Sequence, residues 1–303
     1  EKEIEEVVPE DCVVILTQAG NIKRVASKTF KVQKRNGKGV KNENDAILDM
    51  ISTNTIDTLM VFSSKGKMYR LLVDNVPAGT NASKGVSITS LINTEPNEKI
   101  IAITSLYRKT NAEYVVFVTK NGLVKRTDVY EFESIRKSGK IAISLKDDDE
   151  LISVKKTCGN NIIVIGAKNG KMCRFDENEI RVMGRSAAGV KGMDLSDGSS
   201  VIGLTTSLEG ENILVVTLYG YGKMSPLDDY RESHRGTKGV ITLNVTSKNG
   251  RIVAMRAVKG DEDLMMITNG GTVIRMPLEQ IKIVGRNTQG VKVIRKDKEK
   301  QRV

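Results

Sequence analysis

Six short apolar runs recur along the chain, and a glycine turn follows each of them within a few residues. The runs read VVILT, LMVFS, VVFVT, IIVIG, ILVVT and LMMIT and start at Val13, Leu59, Val115, Ile162, Ile213 and Leu264. We assign the turn glycines as Gly20, Gly66, Gly122, Gly170, Gly222 and Gly271. Apolar runs that return about every fifty residues indicate repeated units, each of which buries apolar surface against its neighbours.

A second glycine follows each turn glycine at a nearly constant interval, near the start of a further extended segment. These second glycines are Gly39, Gly85, Gly139, Gly189, Gly239 and Gly290. Four residues past the turn glycine, five copies carry an arginine, at Arg24, Arg70, Arg126, Arg174 and Arg275. The fifth copy has Pro226 at that place and Lys223 just after its glycine. Spacing this regular indicates a genuine internal repeat.

Each repeat is predicted to contain four strands. Around the third copy, four β-branched or apolar segments are separated by turn residues, namely KIIAITSL, YVVFVTK, LVKRTDVY and KIAISL. The tight turns are hairpin signals because glycine readily adopts the positive φ that they need. Apolar runs without alternation predict strands covered on both faces, as happens when sheets stack. We therefore predict an all-β fold, a closed propeller-like disc of six four-stranded blades.

The two ends of the chain are predicted to meet where this disc closes. The last repeat ends in a spare extended segment, GVKVIRK, which we expect to pair back onto the first blade. We assign 1–303 to a single domain, with an acidic lead at 1–11, six repeats at 12–295 and a short polar tail at 296–303. The acidic opening and the missing initiator methionine suggest a piece of a longer protein, with the lead coming from a preceding domain.

The composition argues against several classes of function. The chain has no run of 18 apolar residues and no signal peptide, so neither a membrane nor export is indicated. Cys12, Cys158 and Cys173 lack CxxC spacing, which favours reduced thiols in a cytoplasmic protein. His234 is the only histidine, so a histidine-rich metal site and a Ser-His-Asp triad have little support. We expect no metal site in this chain.

The net charge of +11 is unevenly distributed. The six windows that run from each turn glycine to two residues past the second glycine carry +18, whereas the remainder of the chain carries −7. In a ring, equivalent positions share one rim, so we expect a continuous positive arc. Duplex DNA is its natural partner because phosphate contacts need no base readout. Single-stranded nucleic acid is less favoured, since it is usually bound by aromatic stacking and the chain has no tryptophan.

The predicted DNA contacts follow this basic rim through all six windows. They are Lys23, Arg24, Lys41, Lys67, Arg70, Lys84, Lys125, Arg126, Lys140, Lys171, Arg174, Arg185, Lys191, Lys223, Arg235, Lys238, Arg275, Arg286 and Lys292. The first window has eight cations and no acid, and it contains QKRNGKG. In that segment the small residues Asn36, Gly37 and Gly39 allow a phosphate chain to approach, and Lys34, Arg35 and Lys38 are placed to bind it. A nucleotide-binding P-loop is not predicted, because the GxxxxGK[ST] pattern and its following helix are missing.

The segment QKRNGKG closely resembles the gyrase A box, Gln-Arg-Arg-Gly-Gly-Lys-Gly, which is the signature of the C-terminal domains of the DNA gyrase A subunit. The matching positions are Gln33, Arg35, Gly37, Lys38 and Gly39. Lys34 replaces an arginine and Asn36 replaces a glycine. The resemblance covers essentially the whole chain. It implies a six-bladed β-pinwheel that bends duplex DNA around its basic rim in a positive sense and presents a second DNA segment to a strand-passage core.

The resemblance also implies partners and cofactors. The parent enzyme would introduce negative supercoils with ATP and Mg²⁺ as an A2B2 assembly of the gyrase A and B subunits, near the nucleoid. Its cleavage tyrosine and ATPase site would lie outside this chain, which would need no cofactor, catalyse nothing and be monomeric in isolation.

Three alternatives to this family remain open. The first is the corresponding domain of the topoisomerase IV A subunit, which generally lacks an intact box. The second is a propeller that acts as a protein-interaction platform, which predicts no charge segregation. The third is a propeller hydrolase or lectin, for which the carboxylates at Asp147–Glu150 are better explained as a solvated turn.

Overall fold

The computed structural model describes residues 6–28, 45, 47–106, 113–134, 139–268, 273–293 and 302–303. The first three repeats contain β1 (Asp11–Thr17), β2 (Asn21–Ala26), β3 (Ile47–Asn54), β4 (Thr58–Ser63), β5 (Lys67–Leu72), β6 (Val86–Ser87), β7 (Ile100–Ser105), β8 (Tyr114–Thr119), β9 (Leu123–Asp128), β10 (Lys140–Ile141) and β11 (Leu151–Thr157). The last three contain β12 (Ile162–Ala167), β13 (Lys171–Asp176), β14 (Val190–Lys191), β15 (Val201–Thr206), β16 (Asn212–Thr217), β17 (Tyr221–Pro226), β18 (Val240–Ile241), β19 (Ile252–Val258), β20 (Asp263–Ile267), β21 (Val273–Pro277) and β22 (Val291–Lys292).

Among the described residues, six short 3-10 helices lie between these strands. They are η1 (Val73–Asn75), η2 (Ile88–Ser90), η3 (Val129–Phe132), η4 (Glu177–Glu179), η5 (Leu227–Asp229) and η6 (Leu278–Gln280). All except η2 directly follow the second strand of a repeat. In the part of the chain that is described, no helix is long and apolar enough to cross a lipid bilayer.

In the first five repeats the apolar run forms a central strand that is buried on both faces, whereas Met265 in the sixth run is exposed. In β4, Leu59 to Phe62 are fully buried, and β8, β12 and β16 show the same pattern. The first four runs turn through a tight glycine hairpin into the second strand, and Gly20, Gly66, Gly122 and Gly170 have φ between +77° and +91°. The predicted two-face burial and the predicted hairpins are therefore confirmed for these copies.

The fifth repeat turns at a different glycine from the one predicted. Gly220 has φ +79° and ends the hairpin, whereas Gly222 lies inside β17 and pairs with Val216. With Gly220 as the turn, Lys223 is the third residue after it and Met224 is the fourth. The assignment of Gly222 as the turn, and of Pro226 as the counterpart of the repeated arginine, is therefore wrong.

The third strand of each repeat from the second to the sixth pairs with the second strand of the preceding repeat. The five sheets have the orders β3-β1-β2-β6, β10-β5-β4-β7, β11-β8-β9-β14, β15-β12-β13-β18 and β19-β16-β17-β22. We call β6, β10, β14, β18 and β22 the exchanged strands. All strand pairs are antiparallel, and each exchanged strand forms only two pairs, as in Lys171↔Ile241 and Met172↔Val240.

The prediction of six blades is wrong: the described residues form five four-stranded sheets and one two-stranded sheet, β20-β21. The cause is strand exchange. The third strand of the sixth repeat, β22, joins the fifth sheet instead of its own, and it does not pair with the first sheet as we expected for GVKVIRK. The segment that corresponds to the third strand in the first repeat, 40–41, lies outside the described residues. So does the segment after β22, 294–301. Four strands per complete blade is confirmed.

The exchange explains the second glycine in four of the repeats. Gly85, Gly189, Gly239 and Gly290 all have positive φ. A Cβ on Gly85 would lie 2.5 Å from the carbonyl oxygen of Ile22 in the preceding sheet. A glycine is therefore needed at this place both for its backbone conformation and for the close approach of the exchanged strand.

The chain divides into two compact units, and the boundary follows the exchange. Unit 1 consists of Glu1–Asn111 and Val129–Ser144, and unit 2 of Ala112–Asp128 and Leu145–Val303. The piece from Val129 to Ser144 belongs to the third repeat in sequence, but its exchanged strand β10 completes the second sheet in unit 1. The boundaries of the sequence repeats therefore do not coincide with those of the structural units.

Neighbouring sheets pack their apolar runs face to face. In unit 2, Val116 and Val118 of β8 pack in one cluster with Ile163 and Ile165 of β12. Val164 lies on the opposite face of β12 and packs in the next cluster, with β16. This stacking explains why the runs are apolar at every position rather than at alternate ones.

Candidate nucleic-acid interface

In the first five repeats, the second strand directs one buried side chain towards the segment that precedes the next exchanged strand. We call 77–85, 183–189, 233–239 and 284–290 the exchanged loops. The side chains come from the third residue after the turn glycine and are Lys23, Tyr69, Lys125, Cys173 and Lys223. All five are at most 7% exposed. Three of these positions were predicted as DNA contacts on the rim.

Lys23 binds the backbone of the first exchanged loop. Its Nζ donates to the carbonyl oxygens of Thr80, Asn81 and Ser83 at 3.0, 2.9 and 2.7 Å. These three bonds use the full donor capacity of an ammonium group. Burial lowers the pKa of Lys23 below its usual value, since desolvation disfavours the charged form.

Lys125 and Lys223 make the same kind of contact in unit 2. The Nζ of Lys125 donates to the carbonyl oxygen of Arg185 at 2.5 Å. The Nζ of Lys223 donates to the carbonyl oxygen of Gly285 at 3.0 Å and also to that of Arg286. Burial, together with the nearby Arg286 guanidinium, lowers the pKa of Lys223 to about 8. None of the three lysines presents its ammonium group at the surface of the protein.

Neutral side chains replace the lysine in the other two copies. The Sγ of Cys173 lies 3.2 Å from the carbonyl oxygen of Thr237 in the third exchanged loop. The ring of Tyr69 packs against Gly139, and its hydroxyl donates to Glu98 Oε2 at 2.7 Å. Burial raises the pKa of Tyr69 and of Cys173. At Lys23, Lys125, Cys173 and Lys223 the position therefore contacts an exchanged loop, with or without a charge.

The repeated arginine, one residue further on, fixes the 3-10 helix of the next repeat. Arg24 Nε donates to the carbonyl oxygen of Val76 at 2.7 Å, just after η1. Arg174 donates to the carbonyl oxygens of Leu227, the first residue of η5, and Tyr230, which follows its last residue, at 2.7 and 3.1 Å. These contacts place C-terminal helix carbonyls next to a guanidinium, which is electrostatically favourable.

The third copy replaces these carbonyls with a buried carboxylate. Arg126 lies 3.3 Å from Glu177, which is fully buried and also accepts hydrogen bonds from Thr157 and from the amide of Asn161. Arg126 also stacks on the ring of Tyr114 at 4.6 Å. Its charge is thus neutralised inside unit 2.

The remaining predicted cations lie nearer the surface. Among them, Arg70 donates to the carbonyl oxygen of Glu133 at 3.1 Å, Lys67 contacts Glu95, and Arg275 lies 2.7 Å from Asp263. Lys171 and Arg185 are half-buried. Five lysines are exposed, on the exchanged strands or shortly before them, and these are Lys84, Lys140, Lys191, Lys238 and Lys292.

In unit 2 the exchanged loops are bonded to one another in succession. Arg235 donates to the carbonyl oxygen of Lys191 at 3.0 Å, and Arg286 donates to that of Ile241 at 3.0 Å. The backbone adds a bond of 2.7 Å from the amide of Gly236 to Gly192. We call the residues 184–194, 234–244 and 285–292, which these bonds join, the basic strip. It carries three arginines, three lysines and a single acid, Asp194.

Two carboxylates lie beside side chains of the basic strip. Asp194 lies 3.6 Å from Lys191 Nζ, and its pKa is lowered, chiefly by a hydrogen bond from the backbone amide of Ser196. His234 is 91% exposed, and its Nδ1 lies 3.0 Å from Glu179 Oε1. The strip is therefore a continuous, mainly positive surface over three repeats.

One regularity of the strip was missed at the level of sequence. Arg185, Arg235 and Arg286 each stand four residues before the second glycine, and Arg35 of the box has the same offset. The segments RSAAG, RGTKG and RNTQG therefore align with RNGKG. Aligning the chain on the second glycine instead of the turn glycine would have shown it.

The box itself, Gln33–Gly39, and Lys41 lie outside the described residues, so their contact with DNA stays a prediction. Within the described part of the chain, no group of three or more His, Cys, Asp or Glu side chains is placed to bind a metal ion. Cys12 and Cys173 are buried, Cys158 is half-buried, and all three are free thiols.

Comparisons with known proteins agree with this architecture. The family model described as DNA gyrase C-terminal domain, beta-propeller, matches residues 13–54, 57–106, 113–158, 161–207, 211–259 and 262–303. The A subunit of DNA gyrase from Staphylococcus epidermidis is 41% identical over 303 residues, which is 97% of this chain and 34% of that protein. The chain thus spans about a third of the length of this relative.

Two solved structures share the fold. The C-terminal domain of DNA topoisomerase IV has a TM-score of 0.82 at 27% identity, covering 98% of this chain and 93% of that one. A DNA gyrase A C-terminal domain has a TM-score of 0.76 at 24% identity, covering 97% of both chains. The fold alone does not separate the two enzymes, whereas the family model and the 41% identical relative do. This chain belongs to the family of DNA gyrase C-terminal domains.

Proposed function

We propose that this chain binds duplex DNA without sequence preference and wraps it along its exchanged loops. The observation that carries the proposal is the continuity of the basic strip, in which adjacent loops are hydrogen-bonded to each other and expose Lys191, Lys238 and Lys292. Cations at equal intervals suit a phosphate backbone, whose charge repeats regularly and does not depend on base sequence. Membership of a gyrase family supports DNA as the polyanion.

Wrapping requires that several repeats act on the same duplex. Bending a duplex costs on the order of several kcal/mol, and that cost is spread over many phosphate contacts. We propose that the box, Gln33–Gly39, is the strongest of these contacts, because its window alone carries +8. Lys84 and Lys140 on the exchanged loops and strands of unit 1 extend the set.

The wrapped segment would serve a larger enzyme. We propose that the chain is part of a gyrase in which A and B subunits form an A2B2 assembly in the bacterial cytoplasm. There it would present DNA to the strand-passage core, which introduces negative supercoils with ATP and Mg²⁺. The chain itself would catalyse nothing and need no cofactor.

Two titrations test binding and bending. We expect log Kd for a long duplex to rise with log salt by about 0.9 for each phosphate contact, so several contacts give a steep slope. Affinity should also increase with duplex length, and the ends of labelled DNA should approach each other in the complex. A flat salt titration, or equal affinity for short and long duplexes, would contradict the proposal.

The handedness of the wrap separates gyrase from its alternatives. Nicked circular DNA is ligated over the purified chain, and the trapped linking difference is read on a gel. A positive wrap is expected for a gyrase domain. No trapped difference would favour the topoisomerase IV domain or a protein-interaction platform.

The role of the box is tested by charge removal. We expect K34A/R35A/K38A to lower DNA affinity moderately, because the other five windows still carry +10, and to abolish the trapped linking difference. K99A/K146A/K259A is the matched control, since it removes three exposed cations that lie outside the six windows. Equal linking differences in the two variants would show that the box does not anchor the wrap.

A further inference from the structure

Lys223 is a buried cation beneath the loop that leads into β22. Its side chain is 1% exposed, and its Nζ donates to the carbonyl oxygens of Gly285 and Arg286. Among the described residues, the charged group that acts on it is the guanidinium of Arg286, and no carboxylate does so. A buried charge is costly unless an opposite charge compensates for it. The compensating anion is missing from the described part of the chain.

The peptide groups above Lys223 direct their other ends away from it. In a trans peptide the C=O and N–H bonds point in opposite directions. Because the carbonyls of Gly285 and Arg286 point inward to the ammonium, the amides of Arg286 and Asn287 point outward. Neither amide donates a hydrogen bond to any residue in the described part of the chain. Successive outward N–H groups form the kind of concavity that binds anions.

The outer side of this loop is open. Gly285 is exposed, and a Cβ built on it would meet no atom within 4 Å. Its φ is not in the left-handed region, so neither the backbone conformation nor packing requires a glycine there. The absence of a side chain leaves the outward amides accessible to a ligand.

A glycine accompanies the buried lysine in one other copy. Gly184 precedes Arg185, whose carbonyl binds Lys125, and a Cβ on Gly184 also would meet nothing within 4 Å. In the Lys23 copy, Thr80 stands at this place and its carbonyl binds the lysine. The exchanged loop that contacts Cys173 has His234 at this place. Lysine below and an open glycine above therefore occur together in two repeats, and both are missing from the Cys173 copy.

We propose that a loop with a lysine below and an open glycine above is a binding site for one phosphate of the DNA backbone. At the best-defined site, the amides of Arg286 and Asn287 donate to the phosphate, and Lys223 supplies positive charge from below. Lys125 supplies charge in the same way under the loop that begins at Gly184. The inference rests on the proposed function, because it identifies the phosphate with that of DNA. It makes the two lysines positioning residues that bind no phosphate directly.

The physical advantage of this arrangement is a weakly screened charge. Salt screens exposed lysines efficiently, whereas it screens a buried ammonium much less. The ammonium also orients the peptide dipoles before the ligand arrives, so little reorganisation accompanies binding. The flexible exposed lysines of the basic strip lack this preorganisation and lose side-chain entropy when they bind.

Gly285→Ala tests the site without disturbing Lys223. The added methyl group meets no protein atom, so stability should be unchanged, but it occupies the space through which the phosphate approaches. We expect the affinity for a long duplex to fall about tenfold, as for the loss of one charge-assisted contact. Leu208→Ala is the control, because it changes an exposed side chain outside the basic strip, and its affinity should stay within about twofold of the wild type. Wild-type affinity of Gly285→Ala would overturn the inference.

Lys223→Met tests the charge itself. It preserves the length and bulk of the side chain, and we expect the slope of log Kd against log salt to fall by about 0.9. Lys259→Met is the control, because it removes an exposed charge outside the six windows. Equal slopes in the two variants would overturn the inference, provided that Lys223→Met unfolds cooperatively; if it does not, Gly285→Ala decides.

A titration with inorganic phosphate separates this inference from the proposed function. We expect millimolar phosphate to shift the NMR amide resonances of Arg286 and Asn287 in the wild-type chain and not in Gly285→Ala. Those shifts without any binding of duplex DNA would support an anion site and refute the DNA function. Duplex binding that is unaffected by Gly285→Ala, with no phosphate shifts, would support the DNA function and refute this site.

Discussion

The loops that lead into β18 and β22 take equivalent places in successive sheets but rest on different supports. Cys173 contacts the first of them through a thiol at 3.2 Å from Thr237. Lys223 contacts the second through an ammonium bonded to Gly285 and Arg286. Since both loops deliver an exchanged strand to the preceding sheet, the fold needs a side chain at this position and does not need its charge.

The outer sides of the same two loops differ as well. Glu179 covers the first, because its Oε2 accepts a hydrogen bond of 2.8 Å from the amide of Arg235 and its Oε1 contacts His234, whereas Gly285 leaves the second open. One loop is thus neutral below and covered above, and the other is charged below and uncovered above. The comparison separates what the architecture requires from what a ligand would require.

The largest effect should be a loss of stability when the glycines that precede the exchanged strands are replaced by alanine. Gly239 and Gly290 have φ of +77° and +76°. A Cβ on Gly239 would collide with the carbonyl oxygen of Met172, while one on Gly290 would lie 3.0 Å from that of Gly222. We expect Gly239→Ala to lower the free energy of unfolding by about 3 kcal/mol or more, and Gly290→Ala by less.

Denaturant unfolding monitored by circular dichroism measures both losses. Gly285→Ala is the control and should stay within about 0.5 kcal/mol of the wild type. If all three variants were equally stable, the exchanged strands would not depend on these glycines.

The next effect is a pH dependence that Lys223 should confer. Its pKa in the folded chain is about 8, compared with 10.5 for an unperturbed lysine, so the unfolded chain binds more protons between these values. Stability therefore rises with pH in this range, and we expect Lys223 to contribute roughly 2 kcal/mol between pH 7 and 9.5.

The measurement is the difference in unfolding free energy between the wild type and Lys223→Met across that range, which cancels the other titrating groups. DNA affinity should change in the opposite sense, because a phosphate favours the charged lysine, and it should fall as the pH rises above 8. Affinity and stability that rise together would contradict the phosphate site.

A smaller effect should follow from converting one loop into the other. Cys173→Lys with His234→Gly and Glu179→Ala gives the loop before β18 both features of the loop before β22, because Glu179 otherwise accepts from the amide of Arg235. We expect about a fivefold gain in duplex affinity at low salt and a salt slope steeper by about 0.9 than for the control Cys173→Met with His234→Gly and Glu179→Ala. An equal gain in that control would assign the effect to the uncovered loop alone.

The smallest effect is expected for His234→Ala. The imidazole is 91% exposed, so its contact with Glu179 should contribute within about 0.5 kcal/mol to stability. Thermal unfolding at pH 8 checks this expectation. A larger loss would mean that the His234–Glu179 pair fixes the loop that we compare with that of Lys223.

The features that depend on local pattern were predictable from sequence. Two-face burial follows from apolar runs such as Leu59 to Phe62, and hairpin turns follow from glycine in a tight turn. The segment YGYG, however, offers both Gly220 and Gly222, and only the pairing of Gly222 with Val216 decides between them. The spacing in the sequence also favoured Gly220, because the interval from Gly220 to Gly239 equals the interval between the two glycines in most other copies.

The strand exchange was beyond the reach of local pattern. An exchanged strand such as Val86–Ser87 has two residues, too few to show a period, and nothing in it indicates the sheet that it joins. The count of blades failed for the same reason, since six repeats with exchanged third strands leave the described residues with five complete sheets.

The candidate site was predicted only in part. Lys125 looks like a rim cation in sequence, but aligned copies have Tyr69 and Cys173 at the same place, and such residues indicate an inward-facing position. Lysines are rarely buried, so the composition of the chain does not indicate that Lys125 is. Lys238 and Lys292 were predicted on the basic rim because equivalent positions in a ring share one rim, and the structure leaves both exposed.

Strand exchange also has a consequence for the order in which the chain folds during synthesis. When Asn54 has left the ribosome, β1, β2 and β3 are available, but β2 keeps an open edge until Val86 and Ser87 arrive. The most recently made sheet is therefore always incomplete while translation proceeds, and an open edge is a template for pairing with other chains. The last sheet to be completed in this way, that of β17, waits for β22, so a chain that stopped after the fifth repeat would carry this open edge permanently.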